Sequence, residues 1–402
     1  MSRSPVKIVV VGGSYGGVGF ISNYFKEAKK LQRPVEITLI DRRDYRHNCL
    51  GSFRALVQPD FSTALWAPYT SLFPQGQGHK VVQGSLKEVH HHHIVLESGD
   101  SIAFDYLVLA TGSYNPAPAK IQGITSYKQA VALNEQYHKA VQAARHITVV
   151  GAGACGVELA GEIAHAFPDK KLTVIHAGAR PVDYPGFADE FKAAAAKHLR
   201  DLGIDLVLNE RVSVEGLDME HPVLEGRRQI QLKCQQRTIE TDLVFLSTGY
   251  VVDTSYLRTL VPENKAADYP NFDPSSLVDQ RTHRIKANAH MQIDHPAFAH
   301  IFTIGDCSNA YETATAASCT YASPILAKNV IKLIQDGNGS PSLLTKPDLP
   351  KVMLLATGPR NGVAMLPIFG TRFGNFFARM LKSKDLFSKM MWQSMNLEAP
   401  RV

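Results

Sequence analysis

The stretch that decides the fold is Val6-Lys7-Ile8-Val9-Val10-Val11-Gly12-Gly13-Ser14-Tyr15-Gly16-Gly17. An apolar run this short, ending in a glycine cluster, reads as a buried parallel strand running into a tight turn. A helix is expected from Val18 to Leu31 and a second strand over Val35–Asp41. Read against GxGxxG, Gly12 and Gly17 hold the first and third glycine positions, while Ser14 stands where the second usually lets a pyrophosphate approach the backbone. The helix N-terminus still offers unpaired N–H groups and the positive end of a dipole to a phosphate. Asp41 ends the second strand, where a carboxylate can accept from both ribose hydroxyls.

The programme then runs again. Strand His146–Val150 leads into Gly151-Ala152-Gly153-Ala154-Cys155-Gly156, followed by an expected helix over Gly156–Ala166 and a strand over Leu172–His176. Here the strand end that should carry an acid carries His176, with Arg180 close behind. Losing the carboxylate removes repulsion against a 2′-phosphate, so NADPH stays open beside NADH. A helix over Ala188–Leu202 and a strand over Leu243–Leu246 complete this second unit. His90–Leu96 and Ser101–Leu109 read as strands of a small antiparallel piece, ending in Ala110-Thr111-Gly112; the second unit ends likewise in Ser247-Thr248-Gly249.

A third signal is Ile301-Phe302-Thr303-Ile304-Gly305-Asp306, a strand ending in Gly-Asp ahead of a long helix from about Thr315 to Ile334. A glycine there lets the backbone pass close to a ligand, and the aspartate can accept from a polyol hydroxyl. Residues 261–281, rich in Pro, Asn and Asp, read as an inserted surface loop, and 335–351 as a linker.

In this order GGSYGG, LATG, GAGACGVELAGE, LSTG and TIGDC resemble the two-dinucleotide-binding-domain flavoproteins. Arg46-His47-Asn48 with Arg54, the segment LTVIHAGAR, and the tail GPRNGVAMLPIFGTRFGNFFARMLKSKDLF are similar to the apoptosis-inducing-factor-like, ferroptosis-suppressor branch. The resemblance implies an α/β fold with two Rossmann-like domains of the glutathione-reductase kind. An FAD-binding domain of residues 1–118 and 268–336 would carry an inserted NAD(P)H-binding domain of residues 119–267, and 337–402 would form a small C-terminal domain. It also implies bound FAD, NADH or NADPH as hydride donor, and a quinone such as ubiquinone as acceptor. Cofactor contacts then fall on Gly12, Ser14, Tyr15, Gly16, Gly17, Asp41, Arg54, Thr111, Gly112, Gly151, Gly153, Gly156, His176, Arg180, Gly249, Gly305 and Asp306.

Two residues carry expected catalytic roles. Glu158 lies in the first turn of the second glycine-led helix, where the resemblance puts it against the nicotinamide or the flavin edge; the plain alternative is that it complements the helix dipole. Lys382 matches a lysine that the family places near the flavin, and a surface lysine is the alternative. Hydride transfer needs the nicotinamide C4 against flavin N5, so the protein supplies position and electrostatics. The N–H groups of Thr315 to Cys319 stand where they could stabilise charge on a reduced flavin.

Other acceptors remain open: an iron–sulfur protein, oxygen, or the substrate of a specialised pathway. The segment Thr313–Ala322 departs from the sequence usual in the branch and motivates them. The five cysteines, Cys49, Cys155, Cys234, Cys307 and Cys319, form no CxxC or CxxxxC pair, which removes the dithiol of a disulfide reductase and suits a reducing compartment. A net charge of +6, dispersed outside the tail, makes a redox-sensing nucleic-acid binder the weaker reading. His90–His93 is expected to form a surface hairpin without metal, since consecutive strand residues point to alternate faces.

Phe369–Trp392 interleaves six aromatic residues with Arg372, Arg379, Lys382, Lys384 and Lys389. It can lie on a membrane surface or pack as a cap on the flavin domain. A homodimer is left open. With no secretory leader, no apolar run of about 18 residues and Ser2 in place of an acylatable glycine, the expected location is intracellular. That means cytoplasmic, or peripheral on a membrane, lipid-droplet or mitochondrial surface.

Overall fold

Alternate residues of Val6–Val11 serve two different cores, which explains why the strand is apolar at every position but the exposed Lys7. Ile8 and Val10 join Phe20, Ile21, Leu326 and Val330 on one face, while Val9 and Val11 join Leu107, Leu109, Ile285 and Ile293 on the other. Burying each such side chain is worth roughly 1.5–3 kcal/mol. The computed structural model describes residues 4–74, 76–213, 221–313, 315–336, 342–366 and 382–400.

Five parallel strands form the first sheet, in the order Ile301–Thr303, Tyr106–Leu109, Val6–Val11, Val35–Asp41, Lys80–Gln83. The C-terminal Gly-Asp strand thus joins the N-terminal unit across the whole intervening chain. Helices Tyr15–Glu27 and Ala316–Asp336 cover one face. The second sheet runs Asp205–Val207, Lys171–Ile175, His146–Val150, Thr238–Leu246, Val223–Gln231, parallel except for its last pair. The α/β class and the doubled strand–turn–helix unit therefore stand as expected.

Several local expectations need correction. The first helix begins at Tyr15, three residues before the expected start, because Gly16 and Gly17 lie inside it. The second glycine-led helix likewise begins at Ala154. Ser101–Leu109 is two strands: Ser101–Ala103 belongs to a three-stranded antiparallel sheet, and Tyr106–Leu109 to the parallel one. Between them Asp105 accepts the Lys7 backbone N–H at 2.7 Å. The edge strand Val223–Gln231, VLEGRRQIQ, was not foreseen, since its charged residues face water. Residues 261–281 are not featureless: they hold a short helix Lys265–Asp268 and a 3-10 turn Pro274–Leu277 that buries Leu277.

The described part of 337–402 divides between the two units. The hairpin Met353–Ala356 with Gly362–Met365 places Leu355, Val363 and Met365 in the core of the second unit. Met391 and Met395 lie in the core of the first, and the Trp392 indole donates to the Ala64 carbonyl at 3.0 Å. From 382 onward the basic, aromatic segment is thus packed as a cap, whereas Phe369–Leu381, the rest of the stretch for which a membrane surface and a cap are both open, lies outside the described residues. Among the described residues no helix is long and apolar enough to cross a membrane.

Candidate functional site

Two glycines make the tight turns possible by close approach. A Cβ on Gly17 would stand 1.9 Å from the Gly12 carbonyl oxygen, and one on Gly156 the same distance from that of Gly151. The helices can therefore start directly at the strand ends, with their first N–H groups unpaired inside the helix. Gly12 and Gly151 themselves take positive φ. Gly16 packs on Ile304, so the first turn sits against the strand that ends in Gly305-Asp306.

The two turns are closed by one bond made with different chemistry. Asp41 Oδ2 accepts the Gly13 N–H at 2.7 Å, and its Oδ1 accepts that of Arg43 at 2.8 Å. His176 Nδ1 accepts the Ala152 N–H at 3.2 Å. Burial lowers the His176 pKa, so the ring is neutral near pH 7 and leaves no cation there for a 2′-phosphate. Arg180 is drawn to the surface by Asp189 at 3.0 Å.

Around the first turn, the Tyr15 hydroxyl donates to Asn48 Oδ1 at 2.6 Å, and Asn48 donates in turn to the Leu386 carbonyl at 2.9 Å. The Tyr69 hydroxyl donates to the Gly13 carbonyl at 2.9 Å. Arg46 lies over the Tyr15 ring and bonds Ser394, yet its buried Nε has no hydrogen-bond partner. Such an orphan donor beside a glycine turn fits a ligand with acceptor oxygens. The Ser14 side chain makes no cap bond, so it does not occupy the helix N-terminus itself.

Asp306 accepts from the Ser113 hydroxyl at 2.6 Å and from Lys120 Nζ at 3.1 Å. Burial works to raise its pKa, but the Lys120 charge and these hydrogen bonds outweigh it and hold the carboxyl below its ordinary value. An ionised carboxylate here can accept from a hydroxyl-bearing ligand. Thr111 bonds the Tyr256 hydroxyl at 2.8 Å, and Gly112, Gly249 and Gly305 all take positive φ at the strand-end turns. At the following helix, Thr315 and Ser318 cap each other reciprocally: Ser318 N–H donates to Thr315 Oγ1 at 3.1 Å and Thr315 N–H to Ser318 Oγ at 3.2 Å. Those two N–H groups, expected to face a reduced flavin, are thereby engaged.

The residues given catalytic roles meet each other. Lys382 Nζ donates to Glu158 Oε1 at 2.5 Å and to the Leu354 carbonyl at 3.0 Å; the same carboxylate oxygen accepts the Ala356 N–H at 2.7 Å. Both side chains are buried, so Lys382 is no surface lysine, and Glu158 does more than complement a helix dipole. Burial pushes the Glu158 carboxyl above its ordinary value, and the Lys382 charge pulls it part of the way back.

Arg54 is a correction. It was expected at the cofactor, but Nε and Nη2 bind Glu162 in a fork at 2.6 and 2.7 Å, and Nη1 donates to the Ser383 carbonyl at 3.1 Å. With all three nitrogens engaged and 2 % of its surface exposed, it bolts the helix Ser52–Val57 to the second unit. Asn48 stands in the Arg46-His47-Asn48 stretch that resembles the branch, though without a role assigned to it; Lys120, Tyr69 and Tyr184 were missed. The Tyr184 hydroxyl accepts the Ala154 N–H at 3.1 Å, at the start of the second helix. None of these three stands in a spaced motif, and only their packing reveals them.

The described cysteines are all free. Burial raises the pKa of Cys49 and lifts that of Cys155 to about 11, so both are thiols near pH 7 and neither is a ready nucleophile.

Comparison with known proteins agrees with this arrangement. Apoptosis-inducing factor homolog B of Dictyostelium discoideum is 27 % identical over all of this chain and all of its own length. Ferroptosis suppressor protein 1 of Homo sapiens is 28 % identical, covering 100 % of this chain and 98 % of that protein. The solved sulfide:quinone oxidoreductase of Aquifex aeolicus shares the fold with a TM-score of 0.69 at 16 % identity, over 98 % of this chain and 93 % of that one. NDH2 of Plasmodium falciparum, solved with NADH, gives 0.62 at 14 % identity, over 97 % and 99 %. The family model described as Pyridine nucleotide-disulphide oxidoreductase matches residues 69–320, from Tyr69 beside the first glycine turn to the opening of the helix after Asp306. A chain matched over that span, with two dinucleotide cradles, belongs to the pyridine nucleotide-disulphide oxidoreductases and is an oxidoreductase using flavin and NAD(P)H.

Proposed function

We propose that the chain is an FAD-dependent NAD(P)H:quinone-type oxidoreductase. The observation that carries this is the repetition of one strand-end bond, Asp41 to Gly13 and His176 to Ala152, at two glycine turns in two sheets. Two cradles in one chain suit a donor dinucleotide and an acceptor dinucleotide. Sheet membership supports an FAD-binding unit of residues 1–118 and 268–336, an NAD(P)H-binding unit of 119–267, and a C-terminal segment of 337–402 reaching both.

When bound, the flavin supplies the two-electron chemistry. Gly12, Gly16, Gly17, Asp41, Arg46 and Asp306 would hold FAD; Gly151, Gly153, Gly156 and the N-terminus of helix Ala154–Ala166 would hold NAD(P)H. Glu158 and Lys382 form a buried carboxylate–ammonium pair that would orient the reacting rings and keep bulk water from them. With no spaced dithiol and with Cys49 and Cys155 held as thiols, electrons leave for a small acceptor rather than a protein disulfide. Quinone is favoured by the branch resemblance and by the fold shared with a sulfide:quinone oxidoreductase.

The test has two arms. Anaerobic NADH or NADPH should bleach an oxidised-flavin band in the purified protein; a colourless protein that takes up no FAD refutes the reading. Steady-state oxidation of NAD(P)H should then accelerate with ubiquinone analogues. Acceleration only by ferredoxin or oxygen would move the acceptor to the alternative class.

A further inference from the structure

The histidine run does not lie along one strand. Leu86–Val89 ends before it, His90 to His92 make a turn, and His93 begins the next strand. The turn sorts the rings into two groups. His90 and His93 stack on each other with centroids 4.4 Å apart. His91 and His92 are 4.6 Å apart and meet a distant residue, His300, whose ring is 4.7 and 4.8 Å from theirs. One ligand atom from each of His91, His92 and His300 lies within 4.8 Å of the others. Glu263 Oε1 stands 3.8 Å from His91 Nδ1 and 3.6 Å from His92 Nε2.

The tautomers follow from the hydrogen bonds. His91 Nε2 faces the Ala297 carbonyl at 3.1 Å, and His300 Nε2 faces the His91 carbonyl at 2.6 Å. A carbonyl only accepts, so both Nε2 atoms carry the proton and both Nδ1 atoms keep a lone pair. His91 Nδ1 is buried and has no hydrogen-bond partner. A histidine that donates one ring N–H to a backbone carbonyl and leaves the other nitrogen bare is oriented as metal-bound histidines are.

We propose that His91 Nδ1, His300 Nδ1 and a ring nitrogen of His92, completed by the Glu263 carboxylate, bind a divalent transition metal of the zinc class. Three imidazoles and one carboxylate suit such an ion. Tetrahedral Zn–N bonds of ~2.1 Å put ligand atoms ~3.4 Å apart, so the cluster must contract by about 1.4 Å. The parts that move most easily are His92 and Glu263, whose side chains are 52 % and 63 % exposed.

The position defines the role. His300 immediately precedes Ile301–Thr303, whereas Gly305-Asp306 lies past the other end of that strand, toward the proposed flavin site. The metal would act structurally, stapling the hairpin to the first sheet and to the segment carrying Glu263.

The test uses the full-length, untagged, FAD-loaded protein, stripped with a chelator and titrated with Zn2+ by calorimetry and with Co2+ by visible absorption. One ion per chain, tetrahedral cobalt bands and a raised melting temperature are expected. H92Q, an exposed change, and H300Q should each weaken zinc at least about tenfold, the scale on which metal sites respond to lost support. H90Q/H93Q should bind as the parent does, and NADH-dependent flavin bleaching serves as the folding check on every variant. No stoichiometric binding, or zinc binding unchanged in H300Q because the exposed run chelates on its own, overturns the proposal.

Discussion

Glu158 and Lys382, 224 positions apart, form a buried ion pair at 2.5 Å that ties the second glycine-led helix to the C-terminal segment. Removing one partner strands the other in a poorly solvated place. K382M is therefore expected to cost about 3–5 kcal/mol, and E158Q/K382M to restore a large part of it, measured by urea unfolding. The sign of the pH effect is fixed. The folded Glu158 pKa is already raised by burial, so its contribution favours the fold at low pH and is lost as pH rises through the folded value. K382M removes the charge that limits this shift, and its stability should fall more steeply with rising pH than that of the parent. The same double variant should also slow flavin reduction by NADH, which a purely structural pair would not do.

What could be read from residues alone divides along a physical line. Gly12, Gly17, Gly151 and Gly156 were legible because only glycine permits so close an approach of helix start to strand end, and that constraint is local. Asp41 and His176 were legible as strand ends, but their shared task of closing the turn was not. Lys382 came from resemblance. Lys120 and Tyr184 left no trace, since each reaches the site through packing between distant segments. The reading of Arg54 failed for the same reason: its partner Glu162 is 108 positions away. Strand periodicity does not apply to the His90–His93 run, because a turn abolishes it.

Asp306 and Lys120 lead to a second expectation, on flavin retention. D306N should lose bound FAD, seen as a lower ratio of flavin to protein absorbance. The folded Asp306 carboxyl is held below its ordinary value, so its ionised form persists to low pH and its contribution is lost only as pH falls through that depressed value. K120M takes away the largest of the lowering influences. Flavin release, followed by free-flavin fluorescence, should then begin at a higher pH than in the parent. Release at an unchanged pH would remove Asp306 from the flavin site.

His176 provides a third. A carboxylate in its place would accept the Ala152 N–H as Asp41 accepts that of Gly13, and would also repel a 2′-phosphate. H176D should raise the ratio of kcat/KM for NADH over NADPH by about tenfold, or ~1.4 kcal/mol of discrimination. R180A should change that ratio little, because Asp189 holds the guanidinium at the surface. A large loss of NADPH use in R180A alone would show that Arg180 leaves Asp189 to meet the phosphate.

Tyr184 supplies the last. Its hydroxyl takes the Ala154 N–H at the N-terminus of the helix where a pyrophosphate would be received, and a Cβ on Gly153 would come within 2.9 Å of that hydroxyl. The tyrosine thus occupies a donor that the nucleotide needs, and the hydrogen bond must break on binding. A net bond of about 1 kcal/mol corresponds to roughly fivefold in affinity. Y184F, which keeps the ring and its packing on Phe187, should lower the KM for NAD(P)H by that order and leave kcat nearly unchanged. A KM that rises instead would mean that the hydroxyl transfers its bond to the bound nucleotide, and Tyr184 would then be a ligand of the cofactor rather than its competitor.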